Sequence, residues 1–349
     1  MTPRVEVDRI GGCVVITLDR PEAINALNRE MIDAVASTLR QCRDDPAVGL
    51  VLFEGRGPRG FCSGGDVRAV RDLVLAGRAA EADSYFAAEY AMNGLIARYP
   101  KPTVALTHGV VMGGGIGIAG HCRYRFTLPS ARFAMPESAI GFFCDVGVNA
   151  LLARVPLHRA LAFALSGVAV GAADAIALGL ADCVIDADRL AGVRSAIIEA
   201  GLSEDAEGAL ARLFEAERRP GGEAAFCAAT DHFAHLDWTD LEAAVSALAA
   251  APMTAVTARR SPTSLVAIHL SQLAARPAPN IERILAMDYA LARLIARAPD
   301  FAEGVRAVLV DRDQSAHWSP QSIAAVERSG FASAIAALSQ PDRPGLSTS

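Results

Sequence analysis

Lysine is almost missing from this chain. Lys101 is the only one, and arginine carries the rest of the positive charge. Acids still outnumber bases, 39 to 33, for a net charge of −6, which argues against the basic face of a nucleic-acid binder. Cysteine is present but unpaired in pattern: seven residues, an odd number, with no CxxC. That excludes a disulfide framework and leads us to expect reduced thiols in a cytoplasmic protein. No apolar run is long enough to span a bilayer, and MTPRVEVDRIGG lacks the apolar core of a secretory signal, so neither membrane nor export is expected. GxSxG and HExxH are both absent, which removes the nucleophile-elbow hydrolases and the zincins. Asp231, His232, His235 and Asp237 crowd together without forming a closed ligand set. We read them as a solvated helix face and expect no metal.

What remains is ordinary globular material: 349 residues, 52% apolar and 21% charged, enough for one large domain or two smaller ones. Alternation around Gly11-Gly12 predicts a hairpin of Arg4–Asp8 with Cys13–Leu18. Asn28 is placed to cap a helix whose stripe is Ile32, Val35 and Leu39. GLVLFE (49–54), TVALT (103–107), Tyr124–Leu128 and Phe133–Ala134 have strand character. Helical spacing starts at Val67 and near Gly115, and covers Leu151–Ser166 and Ala172–Leu178. Strands alternating with helices predict an α/β domain with a largely parallel sheet. Past Asp186 strand signals fade and 190–335 is helical in pattern. LVAIHLSQLAA (265–275) looks amphipathic, ERRPGG (217–222) marks a break, and the polar end SQPDRPGLSTS is expected to fray.

Chemistry is concentrated between His108 and Gly147. Strand, glycine loop and helix occur twice, at Gly64-Gly65 and at Gly113–Gly115. Backbone N–H groups near Gly65 and Gly114, one of them opening a helix, can converge on an oxyanion. One such donor is typically worth about 3–4 kcal/mol of transition-state stabilisation. Glu137 lies among Phe133, Met135, Ile140 and Phe142, surroundings that raise a carboxyl pKa toward the acid/base range. Asp145 follows, with glycines on either side. Taken singly, each acid is a cap or an ion-pair partner. Beside two glycine loops they point to acyl chemistry. GIGIAG (115–120) also matches GxGxxG, but it lies mid-chain and beside a second loop that the dinucleotide pattern lacks.

These residues resemble the crotonase (enoyl-CoA hydratase/isomerase) superfamily. The likeness runs through LDRPEAINALN (18–28), FCSGGD (61–66), HGVVMGGG (108–115) and the MPE of 135–137. Within it, EY (89–90), FAMPESAIG (133–141), FCDVG (143–147), SPTS (261–264) and FAEGVRAVLVDRDQS (301–315) resemble the 3-hydroxyisobutyryl-CoA hydrolase branch. The resemblance implies an α/β fold, a crotonase-like spiral of ββα turns with a helical C-terminal region. Residues 1–190 would form the core with the acyl-CoA site, 191–335 would close over CoA, and 336–349 would be a flexible tail. It implies an oxyanion hole from the Gly65 and Gly114 N–H groups, catalytic acids at Glu137 and Asp145, and substrate contacts from Glu89, Gly64, Asp66, Val67 and Gly113. CoA enters as part of the substrate, with no separate cofactor. The superfamily often builds trimers, which leaves a homo-oligomer open.

Hydratases of the superfamily use two glutamates. One matches Glu137, the other falls on Gly117, and Asp145 stands where hydratases usually carry glycine. Cys144 departs from the hydrolase pattern, where proline is common before the aspartate. The expected reaction is hydrolysis of a short 3-hydroxyacyl-CoA, above all 3-hydroxyisobutyryl-CoA as in valine degradation. Glu137 would attack the carbonyl or activate water, Asp145 would orient the β-hydroxyl or protonate the leaving sulfur, and Glu89 would bond the hydroxyl end. The alternatives are an enoyl-CoA hydratase using Glu137 alone, and a non-enzymatic acyl-CoA binder.

Overall fold

The computed structural model describes residues 4–219 and 222–336. The hairpin forms as expected: β1 (Val5–Ile10) runs antiparallel to β2 (Cys13–Leu18). Asn28 accepts from the Met31 N–H and starts α1 (Arg29–Arg43), whose Ile32, Val35 and Leu39 are buried. The ββα turns expected from the resemblance follow: each long strand is followed by a short one before its helix. The first unit is β3 (Leu50–Gly55), β4 (Gly60–Cys62), then α2 (Val67–Leu75) and α3 (Ala79–Ala97). The second is β5 (Thr103–Thr107), β6 (Val110–Met112) and α4 (Gly114–Ala119). The third is β7 (Tyr124–Thr127), β8 (Arg132–Ala134), a 3-10 turn over Pro136–Ile140 and α5 (Val148–Leu152). Of the short strands, three residues each, β8 matches the expected Phe133–Ala134, while β4 and β6 fall below what periodicity can register.

From β3 on, odd strands join a large sheet and even strands a small one. A two-residue β9 (Cys183–Val184) closes the large sheet in the order β1-β2-β3-β5-β7-β9, and β4-β6-β8 form the other. All pairs except β1–β2 are parallel. Side chains along the large sheet divide by parity. Val14, Ile16, Val51, Phe53 and Ala105 enter the main core, while Cys13, Val15, Leu50, Leu52 and Val104 enter a second one. Both faces are therefore covered, as a parallel sheet requires. This is an α/β spiral of ββα turns.

Beyond β9, every regular element among the described residues is helical. After α6 (Leu157–Ser166) and α7 (Ala172–Ala177) come α8 (Leu190–Ala200), α9 (Ala206–Glu217), α10 (Ala225–Asp231), α11 (Leu241–Ala250), α12 (Pro262–Ala275), α13 (Ile281–Ile295), α14 (Pro299–Val305) and α15 (Ser329–Ile335). Three expectations are corrected here. The helix expected over Leu151–Ser166 is two helices, because Pro156 has no N–H to continue the first and instead precedes the second. α12 is not amphipathic: Leu265, Val266, Ala267, Ile268, His269, Ser271 and Gln272 are all buried. His232 and His235 follow the end of α10 in exposed turns rather than on a helix face, and Asp231 bonds His158 and Arg159. Pro220, Gly221 and 337–349, which hold part of the expected break and nearly all of the expected tail, lie outside the described residues.

α13 packs along α3, and α14 packs on both the 136–140 turn and α2. Arg71 Nε donates to Ala302 O at 2.9 Å, and Ser261 N donates to Ser138 O at 3.1 Å. The C-terminal helices thus press on the elements that carry Glu89 and Glu137.

Candidate active site

The two glycine turns lie against each other. A methyl built on Gly64 would stand 3.7 Å from Gly114 N, and one on Gly114 would stand 3.4 Å from Gly65 N. Gly64 and Gly113 hold φ of +111° and +48°, conformations that a side chain opposes. The first turn is stitched to the segment before α1. Leu27 N donates to Gly64 O at 2.8 Å, Asp66 N donates to Leu27 O at 2.8 Å, and Tyr85 Oη donates to Leu27 O at 2.8 Å. The Gly65 N–H takes no part in that bridge. Gly114 is the first residue of α4, where an N–H has no partner within the helix. With only six residues, α4 offers those first-turn N–H groups rather than a long dipole.

Four buried carboxyl groups gather here: Glu89 from α3 and Glu137 from the 3-10 turn stand against the glycine turns, Asp145 before α5 is within electrostatic reach of both, and Asp288 from α13 is within reach of Asp145. A methyl on Gly113 would meet Glu137 Oε1 at 2.7 Å, and one on Gly114 would collide with Glu89 Oε1. Glu137 therefore faces the cleft between the glycine turns. None of the ion pairs among the described residues includes any of the four acids. Tyr90 Oη donates to Asp145 Oδ2 at 2.6 Å. Gly147 N donates to Asp288 Oδ2 at 2.8 Å, which ties the turn after Asp145 to the C-terminal helices. Val146 within that turn has φ +54°, a strained value for a β-branched residue. His121, half-buried, bonds the Val146 carbonyl at 2.8 Å. Cys144, in proline's place, is fully buried and points its thiol to Ala164 O at 3.7 Å.

Without cations nearby, burial dominates the electrostatics. It raises Glu89 well above the usual carboxylate range, and the Asp145 charge adds to this. It raises Glu137 likewise, with Asp145 and then Glu89 adding repulsion. Asp288 is raised by burial and by Asp145, against the pull of the Gly147 N–H. Asp145 is raised less, to about 7, because Tyr90 and its own backbone N–H stabilise the anion. Asp145 is thus the one acid of the four whose anion a side-chain hydrogen bond stabilises.

Of the residues singled out from sequence, Gly64, Gly65, Gly113, Gly114, Glu89, Glu137 and Asp145 come together here. Asp66 is otherwise engaged, capping α2 through Ala69 N at 3.3 Å and pairing with Arg20 at 2.7 Å. Val67 begins α2 and is half-buried. Sequence reasoning missed Tyr85, Tyr90, Asn93 and Asp288. A usable signal existed for two of them: Asp288 interrupts the buried stripe Ile284, Leu285, Leu291 and Ala292 of α13, and Asn93 repeats Glu89 one turn on within an apolar helix. Two open surface hollows, of about 390 and 560 Å³, are lined by other residues, among them Arg56, His108 and Arg194 in the first.

The sequence profile of the enoyl-CoA hydratase/isomerase family matches residues 13–335. The mitochondrial 3-hydroxyisobutyryl-CoA hydrolase of Xenopus tropicalis is 34% identical over 330 residues, covering 89% of this chain and 83% of that protein. The human protein of that name is 32% identical over 327 residues, with the same coverage. Among solved structures, an enoyl-CoA hydratase from Rhodobacter sphaeroides superposes with a TM-score of 0.86 at 31% identity, covering 95% of this chain and 97% of that one. A carnitinyl-CoA dehydratase from Mycobacterium thermoresistibile gives 0.85 at 33%, covering 99% and 98%.

Proposed function

Because the chain belongs to the enoyl-CoA hydratase/isomerase family and is a crotonase-type acyl-CoA enzyme, we propose that it hydrolyses a short 3-hydroxyacyl-CoA thioester, 3-hydroxyisobutyryl-CoA foremost. One observation carries this reading: Glu137 faces the paired glycine turns while position 117, where a hydratase keeps its second glutamate, is a glycine with no room for a side chain. A Cβ there would stand 2.8 Å from both Asn93 Nδ2 and Val146 Cβ. Hydration of a double bond therefore lacks one of its two acids, whereas thioester cleavage needs only one activated oxygen and a proton for sulfur.

The Gly65 and Gly114 N–H groups hold the thioester oxygen and take up the charge that develops on it. Glu137 passes its proton to the Asp145 carboxylate and becomes the reactive anion. It then either adds to the carbonyl carbon, giving a mixed anhydride that water opens, or takes a proton from the water that adds. In both routes the C–S bond breaks and the CoA thiolate collects the proton held by Asp145. Glu89 binds the hydroxyl end of the acyl group.

The test is incubation with 3-hydroxyisobutyryl-CoA and titration of free thiol. We expect stoichiometric thiol release and a loss of about 10²–10⁴-fold in rate for Glu137→Gln. No thiol release, with Glu137→Gln indistinguishable from the parent, would overturn the reading. Loss of enoyl absorbance from crotonyl-CoA without free thiol would assign a lyase instead.

A further inference from the structure

Glu89 and Asn93 are one helical turn apart on α3, so their side chains share a face. Glu89 lies against Gly114 and Asn93 lies against Gly117, three residues further along α4. The Asn93 side chain thus takes the space that a side chain at 117 would enter. It is fully buried, and neither its Nδ2 nor its Oδ1 has a hydrogen-bond partner among the described residues. Glu89 Oε1 and Glu137 Oε2 are in the same condition. Buried amides with both atoms unmatched are rare in folded proteins, and each such atom implies a partner.

The chemistry of that partner follows from the donor set. An amide offers one donor side and one acceptor side, as does a hydroxyl, so the two satisfy each other in a pair of bonds. A thioester oxygen held between Gly65 and Gly114 stands at the start of α4, and Asn93 lies against Gly117, three helical residues or ~4.5 Å further on, within reach of a substituent near the carbonyl. We infer that Asn93 is a specificity-determining residue whose amide, beside Glu89, binds the hydroxyl of a hydroxylated acyl-CoA and selects it over the unsubstituted acyl thioester. This rests on the acyl-CoA site proposed above and adds to it the group that distinguishes substrates. Sites built to bond a hydroxyl reject the analogue lacking it strongly, because their polar groups are then stranded. A methyl difference gives far less discrimination.

The test reads binding without turnover. In a Glu137→Gln background, 3-hydroxyisobutyryl-CoA and isobutyryl-CoA are titrated calorimetrically into the parent and into Asn93→Leu, which is close in volume, with Asn93→Ala as a second variant should leucine not fold. We expect the parent to bind the hydroxylated ligand at least tenfold more tightly, and both variants to bring the ratio to within about threefold of unity. A parent without preference, or a ratio unchanged in both variants, overturns the inference. Thiol release by the protein with Glu137 intact is measured separately. Its failure would refute hydrolysis while the binding ratio still decides the role of Asn93.

Discussion

Tyr90 and Asp145, separated by 55 residues, share a 2.6 Å hydrogen bond inside the protein, with the phenol donating to the carboxylate. That bond opposes the burial that raises Asp145 and keeps its pKa to about 7 rather than higher. Removing the hydroxyl leaves the anion without its side-chain donor. We predict that Tyr90→Phe raises the Asp145 pKa by about 1–2 units, the size of one charged hydrogen bond. The ionised fraction at pH 7 then falls, and with it the rate of thiol release. The check is the pH profile of kcat/KM in parent and variant: an unchanged profile would mean that Asp145 does not titrate in the rate-limiting sequence.

Asp145 in turn raises Glu137, since repulsion from its charge is second only to burial among the causes. Neutralising it must lower the Glu137 pKa. In Asp145→Asn, the Glu137 carboxyl, followed by carbon-13 NMR, should therefore titrate at lower pH than in the parent, while thiol release falls for lack of a proton for sulfur. A Glu137 titration that stays fixed or moves upward contradicts the coupling.

Stability should respond to pH through the same acids. Asp288 is wholly buried and its folded pKa lies above the unfolded value. The folded state therefore holds the extra proton, and Asp288 contributes stability that is complete below about pH 4 and is lost as pH rises toward its folded pKa. His121 works in the opposite sense, since burial lowers it to about 4 and its stability contribution grows with pH. Comparing parent with Asp288→Asn cancels His121. The amide can still accept from Gly147 N, so we predict that the variant is more stable at pH 7 by about 1–3 kcal/mol. We also predict a shallower fall in stability between pH 5 and 7. Urea titrations at several pH values measure both.

Two glycines test the packing of the cleft. Gly113→Ala would face an unfavourable φ of +48° and place a methyl 2.7 Å from Glu137 Oε1. Thiol release should drop at least tenfold from displacement of that carboxyl. Gly117→Glu would drive a side chain into Asn93 and Val146. It should destabilise the fold by about 1–3 kcal/mol, the usual cost of overpacking, without creating crotonyl-CoA hydration. Thermal unfolding and enoyl absorbance report the two effects.

Much of this molecule is legible in its sequence because it is set locally. The β1–β2 hairpin, the Asn28 cap, the long strands and the glycine turns follow from alternation, capping chemistry and backbone freedom over a few residues. The short strands β4 and β6 do not, since their three residues are held in place by neighbouring strands rather than by any pattern of their own. α12 shows the same limit: polar residues such as Ser271 and Gln272 suggest a wet face, yet the packing around the helix buries them.

The sequence alone determined which chemical groups are available: glycines able to bare their N–H groups, acids at 89, 137 and 145, and no acid at 117. Only the tertiary structure decided that Tyr90, Asn93 and Asp288 belong beside them, and which acid has a phenol donor. The reason is physical. A carboxyl pKa depends on burial and on neighbours through space, and here those neighbours are far apart along the chain, as Asp288 is from Gly147, 141 residues away.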